Sequence, residues 1–172
     1  MKHLTVPTAV FLGGSIAGAL DILFAISFAA YNGASPSRLL QTVASGALGQ
    51  QAFSGGSGTA ALGLLLHFLL AYLWATLFMA AAWRAPRLIQ RPVLSGLVFG
   101  MIVFLCMRLV VLPLSAFPFP VTFKPLATAL DLLSHMLLFG VPIAVITHKA
   151  VVRSPNNALK SKAPGGSAQF RH

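Results

Sequence analysis

Both acidic residues of this chain lie inside long apolar stretches, where charged groups are rare. They are Asp21 and Asp131, and the apolar stretches also contain His67, Arg108 and His135. Carboxylates beside imidazoles can relay protons near neutral pH, and the same groups can hold a cation or a small polar solute. Asp131 and His135 are four residues apart, so a helix would place them on one face. We call these five residues the polar cluster.

The sequence leaves three interpretations of the polar cluster open. In the first, it is a titratable site, reached from outside, that responds to protons, ions or small solutes. In the second, its ion pairs only fix the packing of helices, as in a scaffold or assembly protein without catalytic activity. In the third, His67 and His135 are the axial ligands of a haem b, and Arg108 meets a propionate. Apart from this haem alternative, we predict no cofactor and no metal site.

The composition places these residues in a membrane protein. The chain has 172 residues, of which 57% are hydrophobic and 8% are charged, and its mean hydropathy is +0.85. In an ordinary soluble domain about a quarter of all residues are charged, so this composition excludes a soluble globular protein. The sequence contains no phosphate loop, no His-Glu-x-x-His motif and no Ser-His-Asp set that aligns with a known pattern. We therefore predict that the protein is not an enzyme.

Four apolar stretches are long enough to cross a bilayer, which takes about 20 helical residues. They cover residues 8–30, 59–83, 92–112 and 126–147. Each is predicted to be helical, because a chain in lipid must satisfy its own backbone hydrogen bonds. The sequence therefore predicts an all-α membrane protein, a four-helix bundle within one domain, residues 1–150. Four helices enclose little space, so a transport path would require a homodimer.

The basic residues predict the orientation of the bundle. The formal net charge is +10. The side that holds the termini and the second loop carries most of the basic residues: Lys2, Arg84, Arg87, Arg91, Lys149, Arg153, Lys160, Lys162 and Arg171. The opposite side carries Arg38 and Lys124. By the positive-inside rule both termini are cytoplasmic. Counted from the outer ends of the spans at about 1.5 Å per residue, all five cluster residues then lie in the extracytoplasmic half. The net charge thus reflects topology, and we predict the lipid bilayer, not nucleic acid, as the partner.

The first outer loop contains a predicted amphipathic helix over residues 36–50. Ser35 suits the N-cap and Pro36 the first turn. One face carries the apolar residues Leu39, Leu40, Val43, Ala47 and Leu48, and the other carries Arg38, Gln41, Thr42 and Ser45. We expect this helix to lie at the outer membrane interface and to cover the mouth of the bundle. Residues 151–172 are rich in Pro, Asn, Gly and Ser, and we predict a disordered, basic cytoplasmic tail.

The two helical hairpins resemble each other. In the second and fourth spans, His67 in Leu-Gly-Leu-Leu-Leu-His aligns with His135 in Leu-Asp-Leu-Leu-Ser-His. The first and third spans share a Gly-x-x-x-Gly frame, which permits close helix packing in lipid. These glycines are Gly14 and Gly18 in the first span, and Gly96 and Gly100 in the third. Since corresponding spans run in the same direction, the repeat predicts a pseudo-two-fold axis along the membrane normal.

Residues 63–147 resemble the YagU-like family of bacterial inner-membrane proteins. The resemblance rests on His67, Pro86, Gly96, Gly100, Pro113-Leu114 and Asp131-x-x-x-His135. The last of these motifs is similar to the acid-x-x-x-His motif of the family. Where this chain has Arg108 the family has His, and the first span with its loop does not match. The resemblance implies a multi-pass protein of the bacterial inner membrane, and it brings no established activity.

Overall fold

The structure, a computed structural model, describes residues 4–152, and the regular structure in this range is entirely helical. The helices are α1 (Val6–Tyr31), α2 (Pro36–Leu48), α3 (Gly56–Arg84), the single turn α4 (Arg87–Gln90), α5 (Pro92–Leu114) and α6 (Pro125–Val152). A short 3-10 segment, Gly49–Phe53, links α2 to α3. Residues 151 and 152 of the predicted tail belong to α6, and the tail from residue 153 onward lies outside the described residues.

Four helices are long and apolar enough to cross a membrane, which confirms the prediction of an all-helical protein with four candidate spans. These are α1, α3, α5 and α6, with 26, 29, 23 and 28 residues. Local sequence explains where they begin. The hydroxyls of Thr5 and Ser35 accept from the first-turn N–H groups of α1 and α2. A proline lies in the first turn of α1, α2, α5 and α6, where its missing N–H has no cost.

The connections between the helices divide between two ends of the bundle. At one end, α4 lies beside the last turns of α6, where His148 Nδ1 donates to the carbonyl of Ile89 at 2.6 Å. At the other end the two remaining loops meet, and the Ala116 N–H donates to the Gly46 carbonyl at 2.9 Å. We call the first the terminus end and the second the loop end.

The interior of the bundle is built from alanines and a few larger side chains. The main core cluster consists of Ala17, Ala71, Ala75, Phe78, Val103, Phe139, Ile143 and Ala144. Many of the other large apolar side chains point outward. Leu65, Leu69 and Leu73, on one face of α3, are each more than half exposed. Helices that are apolar on every side suit a lipid environment, in which small interior residues allow close packing.

Glycines set the distance between α1 and α3 in the first hairpin. A Cβ on Gly14 would lie 2.5 Å from the Tyr72 ring, and one on Gly18 would lie 3.0 Å from the Phe68 ring. The same contact surface contains a hydrogen bond of 3.0 Å between the hydroxyls of Ser15 and Tyr72. The aromatic side chains of α3 therefore lie directly against the glycine frame of α1.

Glycines bring α5 and α6 still closer in the second hairpin. A Cβ on Gly96 would lie 2.6 Å from the Cα of Val141, and one on Gly100 would overlap the carbonyl oxygen of His135. Gly140, on α6, faces both glycines of α5. In this hairpin backbone packs against backbone, so neither helix can accept a side chain at the crossing.

Two turns of π-helix interrupt the long helices, and each contains one residue of the polar cluster. They are Met107–Val111 in α5 and His135–Gly140 in α6. Each ends two residues before a proline, Pro113 or Pro142. A proline has no N–H and crowds the carbonyl four residues earlier, so the preceding turn loses its ordinary hydrogen bond and widens. The prolines therefore help to set the positions of the cluster side chains that these turns carry.

Helix α2 buries two of its polar residues, Gln41 and Ser45, instead of presenting them to solvent. Gln41, Ala44 and Ser45 are buried, whereas Leu48 is 38% exposed. The expectation that Gln41 and Ser45 belong to a polar outer face was therefore wrong. The reason is that α2 crosses α3 at Gly63, and only small or hydrogen-bonded side chains fit at so close a crossing.

Replacing Gln41 with leucine is expected to weaken this crossing. The Gln41 Nε2 donates to the Gly56 carbonyl at 3.0 Å at the start of α3. Loss of this hydrogen bond should lower the free energy of unfolding by about 1–2 kcal/mol. Reversible unfolding in mixed detergent micelles would measure the difference. The exposed Ser37→Ala in the same helix is the control. Equal unfolding free energies for the Gln41→Leu protein and the wild type would contradict a stabilising role of this bond.

Candidate functional site

Four of the five cluster side chains form a connected series of contacts across three helices. Asp21 on α1 accepts from the Ser134 hydroxyl at 2.7 Å, and the same carboxylate oxygen lies 3.8 Å from His135 Nδ1 on α6. His135 Nδ1 also lies 3.2 Å from the Asp131 carboxylate. Asp131 in turn lies 3.5 Å from the Nε of Arg108 on α5. The structure thus brings together four residues from three helices that are distant in sequence.

The fifth member, His67, forms its hydrogen bond with the backbone of α1. Its Nε2 lies 2.9 Å from the carbonyl oxygen of Gly18. Because a carbonyl only accepts, the Nε2–H of His67 is the donor, and Nδ1 of the neutral ring is an acceptor. The ring also packs edge-on against Phe68, with 5.6 Å between ring centroids. His67 joins the other four members as part of a shared cavity wall.

A cavity of about 590 Å³ lies between the polar cluster and α2, and all five cluster residues line it. Its loop end is lined by α2 and by Ser115 and Phe117, which follow α5. The other lining residues are mainly apolar and come from α1, α3 and α5: Ile22, Ala25, Leu66, Leu70, Phe104, Met107, Val111 and Leu112. The cavity therefore combines a polar wall with apolar surroundings, which is typical of small-molecule sites.

A second, smaller cavity of about 50 Å³ lies deeper, toward the terminus end. Asp21, His67 and His135 line both cavities, and Trp74 lines only the smaller one. The indole N–H of Trp74 is buried and has no hydrogen-bond partner within residues 4–152. Buried donors are normally satisfied, and this volume accommodates a water molecule that would accept from Trp74. The smaller cavity thus places the indole of Trp74 beside three residues of the polar cluster.

Arg108 connects the cluster to the loop before α6. Its guanidinium donates to the Thr122 carbonyl at 3.0 Å and lies 5.3 Å from the centroid of the Phe123 ring. Two carboxylates and one guanidinium leave the cluster with a formal charge of −1 while both histidines are neutral. Protonation of one histidine would bring this charge to zero.

The predicted haem ligands both lie at the polar wall, but each already forms a hydrogen bond. His67 donates to Gly18, and His135 donates from Nδ1 to the Asp131 carbonyl at 2.9 Å. The nitrogens left to bind iron are Nδ1 of His67 and Nε2 of His135. Within the described range, no three His, Cys, Asp or Glu side chains are arranged to hold a metal ion. Haem binding by this pair stays a prediction.

Comparisons with protein-family models, curated proteins and solved structures give no match to this chain. The function proposed below is therefore argued from the geometry of the site.

Two residues of the site were not predicted from the sequence. Ser134 bonds to Asp21, and Trp74 lines the smaller cavity. Hydroxyl and indole groups are common in membrane spans, so residue type alone does not single them out. The position of Ser134, directly before His135, is the one sequence feature that points to it.

Proposed function

We propose that the polar cluster is a proton-responsive site in a multi-pass membrane protein. The observation that carries this proposal is the position of His135 Nδ1, which lies 3.8 Å from Asp21 on α1 and 3.2 Å from Asp131 on α6. Histidine changes charge near neutral pH, and one charge matters more in a low dielectric than in water. Because the two carboxylates belong to different helices, protonation of His135 would change the attraction between α1 and α6.

We further propose that this membrane is the bacterial inner membrane and that both termini are cytoplasmic. Basic residues support the orientation: Arg84, Arg87, Arg91 and Lys149 lie toward the terminus end, and Arg38 and Lys124 toward the loop end. In this orientation the larger cavity opens toward the extracytoplasmic side, and α2 covers it at the outer interface. The resemblance of the Asp131-x-x-x-His135 motif to the YagU-like family fits the proposed location.

A pseudo-two-fold relation between the hairpins is also proposed. When His67 is aligned with His135, Phe68 corresponds to Met136 and Tyr72 to Gly140. Gly18 packs against Phe68 and Gly14 against Tyr72. In the second hairpin, Gly100 packs against Met136 and Gly96 against Gly140. Equivalent contacts in both hairpins support an axis along the membrane normal.

The proposed response does not require a second copy, because the cavity lies within one chain. A path across the whole membrane would need more interior space than four helices enclose, and for such transport we propose a homodimer. The rival function is a non-catalytic scaffold, in which the same contacts only hold α1, α5 and α6 together.

Thermal unfolding at different pH values distinguishes a proton-responsive site from a scaffold. A protonated His135 brings the formal charge of the cluster from −1 to zero, so the wild type is expected to be more stable near pH 5 than near pH 8. In His135→Gln this dependence should be largely lost. The control is His148→Gln, which removes a histidine at the terminus end and should leave the dependence intact. Matching profiles for His135→Gln and wild type would show that His135 is no sensor and favour the scaffold.

A further inference from the structure

We propose that the larger cavity binds a lipophilic amine in its protonated, ammonium form. The ammonium group would lie at the polar wall, and the apolar body would lie between α2, α3 and α5. This inference rests on the proposed function, because it assigns a ligand class to the same site. It follows from the hydrogen-bonding character of the wall, its charge and the apolar surroundings.

The polar wall consists mainly of hydrogen-bond acceptors. His67 uses its Nε2–H on a carbonyl of α1, so its Nδ1 accepts. While its ring is neutral, His135 uses its Nδ1–H on a carbonyl of α6, so its Nε2 accepts. The Asp21 carboxylate accepts from a serine hydroxyl and has lone pairs for further donors. A complementary ligand must therefore donate hydrogen bonds, and an ammonium group of a primary amine offers three.

The charge of the wall selects a cation. Arg108 lies 3.5 Å from Asp131 and also donates to the Thr122 carbonyl, so its charge is already matched. Asp21 is 9% exposed, and its remaining charged neighbour, His135, is a cation only when protonated. A buried carboxylate is costly unless a positive charge accompanies it. A bound ammonium would supply this charge, whereas an anionic ligand would meet a wall of like charge.

The apolar surroundings select an organic cation and not a metal ion. Ala25, Leu39, Leu66, Leu70 and Leu112 line the cavity beyond the polar wall. Hard cations such as Ca²⁺ need about six oxygen ligands, which these side chains do not supply. A volume of about 590 Å³ falls within the usual range of small-molecule sites. An aromatic or alkyl amine matches both parts of the cavity.

The test titrates 1-naphthylmethylamine into the purified full-length protein in lipid nanodiscs, with binding followed by calorimetry. The control ligand is 1-naphthylmethanol, which has the same ring system and a hydroxyl in place of the ammonium. Near pH 7.5 the amine is charged, and it is expected to bind about tenfold or more tightly than the alcohol. Equal affinities would overturn the inference, because they would show partitioning of the ring alone.

Three variants locate the binding. Asp21→Asn keeps the shape of the side chain but removes its charge, and it should abolish the preference for the amine without weakening the alcohol. Ala25→Phe fills the cavity one helical turn away and should abolish saturable binding of both ligands. Thr76→Val alters an exposed residue of α3 and should bind both as the wild type does. A full preference for the amine in Asp21→Asn, or unchanged binding in Ala25→Phe, would overturn the assignment.

Thermal unfolding of the same preparations without ligand separates this inference from the proposed function. A pH-dependent unfolding temperature without any preference for the amine overturns the ligand assignment and leaves the proton-responsive site standing. A preference for the amine with a flat pH profile overturns the proton-responsive site and leaves the ligand assignment standing. A flat profile without any preference contradicts both.

Discussion

Replacing Gly100 with alanine is expected to destabilise the protein by about 3 kcal/mol, because one added methyl group would collide with backbone. The new Cβ would overlap the His135 carbonyl oxygen and lie 2.6 Å from the Cα of Met136. A flexible side chain could rotate away, but these atoms belong to a turn of α6 and cannot move alone. Helix α6 would have to shift, and His135 would move with it. Reversible unfolding in mixed micelles measures the loss.

The matched control for Gly100→Ala is Gly58→Ala in α3. A Cβ on Gly58 would have no neighbour within 4 Å, and alanine favours a helix over glycine by up to about 1 kcal/mol. The control should therefore be neutral or slightly stabilising. A Gly100→Ala protein as stable as the wild type would mean that α5 and α6 lie farther apart than the structure has them. The pH profile of its unfolding temperature would then also be unchanged.

The four spans were predictable because their evidence is local. A run of about 20 apolar residues leaves little alternative to a membrane helix, and Ser35 with Pro36 indicated the start of α2. The wide turns before Pro113 and Pro142 were not predicted. A proline within a span can kink a helix, widen it or leave it nearly straight, and packing against neighbouring helices decides among these outcomes.

The orientation of α2 depends on contacts that its own sequence does not contain. Gln41 and Ser45 were expected to belong to a polar outer face, which is the usual arrangement of an amphipathic helix. Gly63 of α3 reverses part of that expectation, because it lets the backbone of α2 approach at Leu40 and Ala44. Gln41 and Ser45, on either side of Ala44, are then buried. Pairwise close approach of this kind is visible only in three dimensions.

The candidate site was found from the sequence through the high cost of charge in lipid. This cost singles out Asp21, Arg108 and Asp131, and it requires them to find partners. The cost of charge does not identify these partners, and it does not predict the hydrogen bond from His67 to the backbone of Gly18. Every residue offers a backbone carbonyl, so this acceptor has no signature in the sequence.

Helix packing and the chemistry of the site share the same residues in this protein. Gly18 packs against α3 and accepts the hydrogen bond of His67, and Gly100 packs against the backbone of His135. A change in the charge of either histidine therefore acts at a helix–helix contact formed by a glycine. In the proposed function, these shared residues are the route by which proton binding would alter the packing of the bundle.

Removal of the positive charge of Arg108 is expected to cost about 2 kcal/mol. Deleting one partner of a fully buried ion pair costs about 3–5 kcal/mol, because the other charge stays buried alone. The side chains of Arg108 and Asp131 are 21% and 38% exposed, so solvent in the cavity reduces the penalty. Arg108→Met keeps most of the apolar stem and changes the formal charge of the cluster from −1 to −2. Unfolding in mixed micelles measures the effect.

Addition of Asp131→Asn to Arg108→Met should restore more than half of the lost stability, because the double variant no longer contains the unpaired Asp131 carboxylate. Lys124→Met provides the control, since it removes an exposed positive charge at the loop end and should change stability by less than about 0.5 kcal/mol. Additive losses in the double variant would show that Arg108 stabilises the fold through Thr122 and Phe123 and not through Asp131. Restoration would show instead that the charge balance of the cluster, more than the contacts of any one side chain, stabilises the junction of α1, α5 and α6.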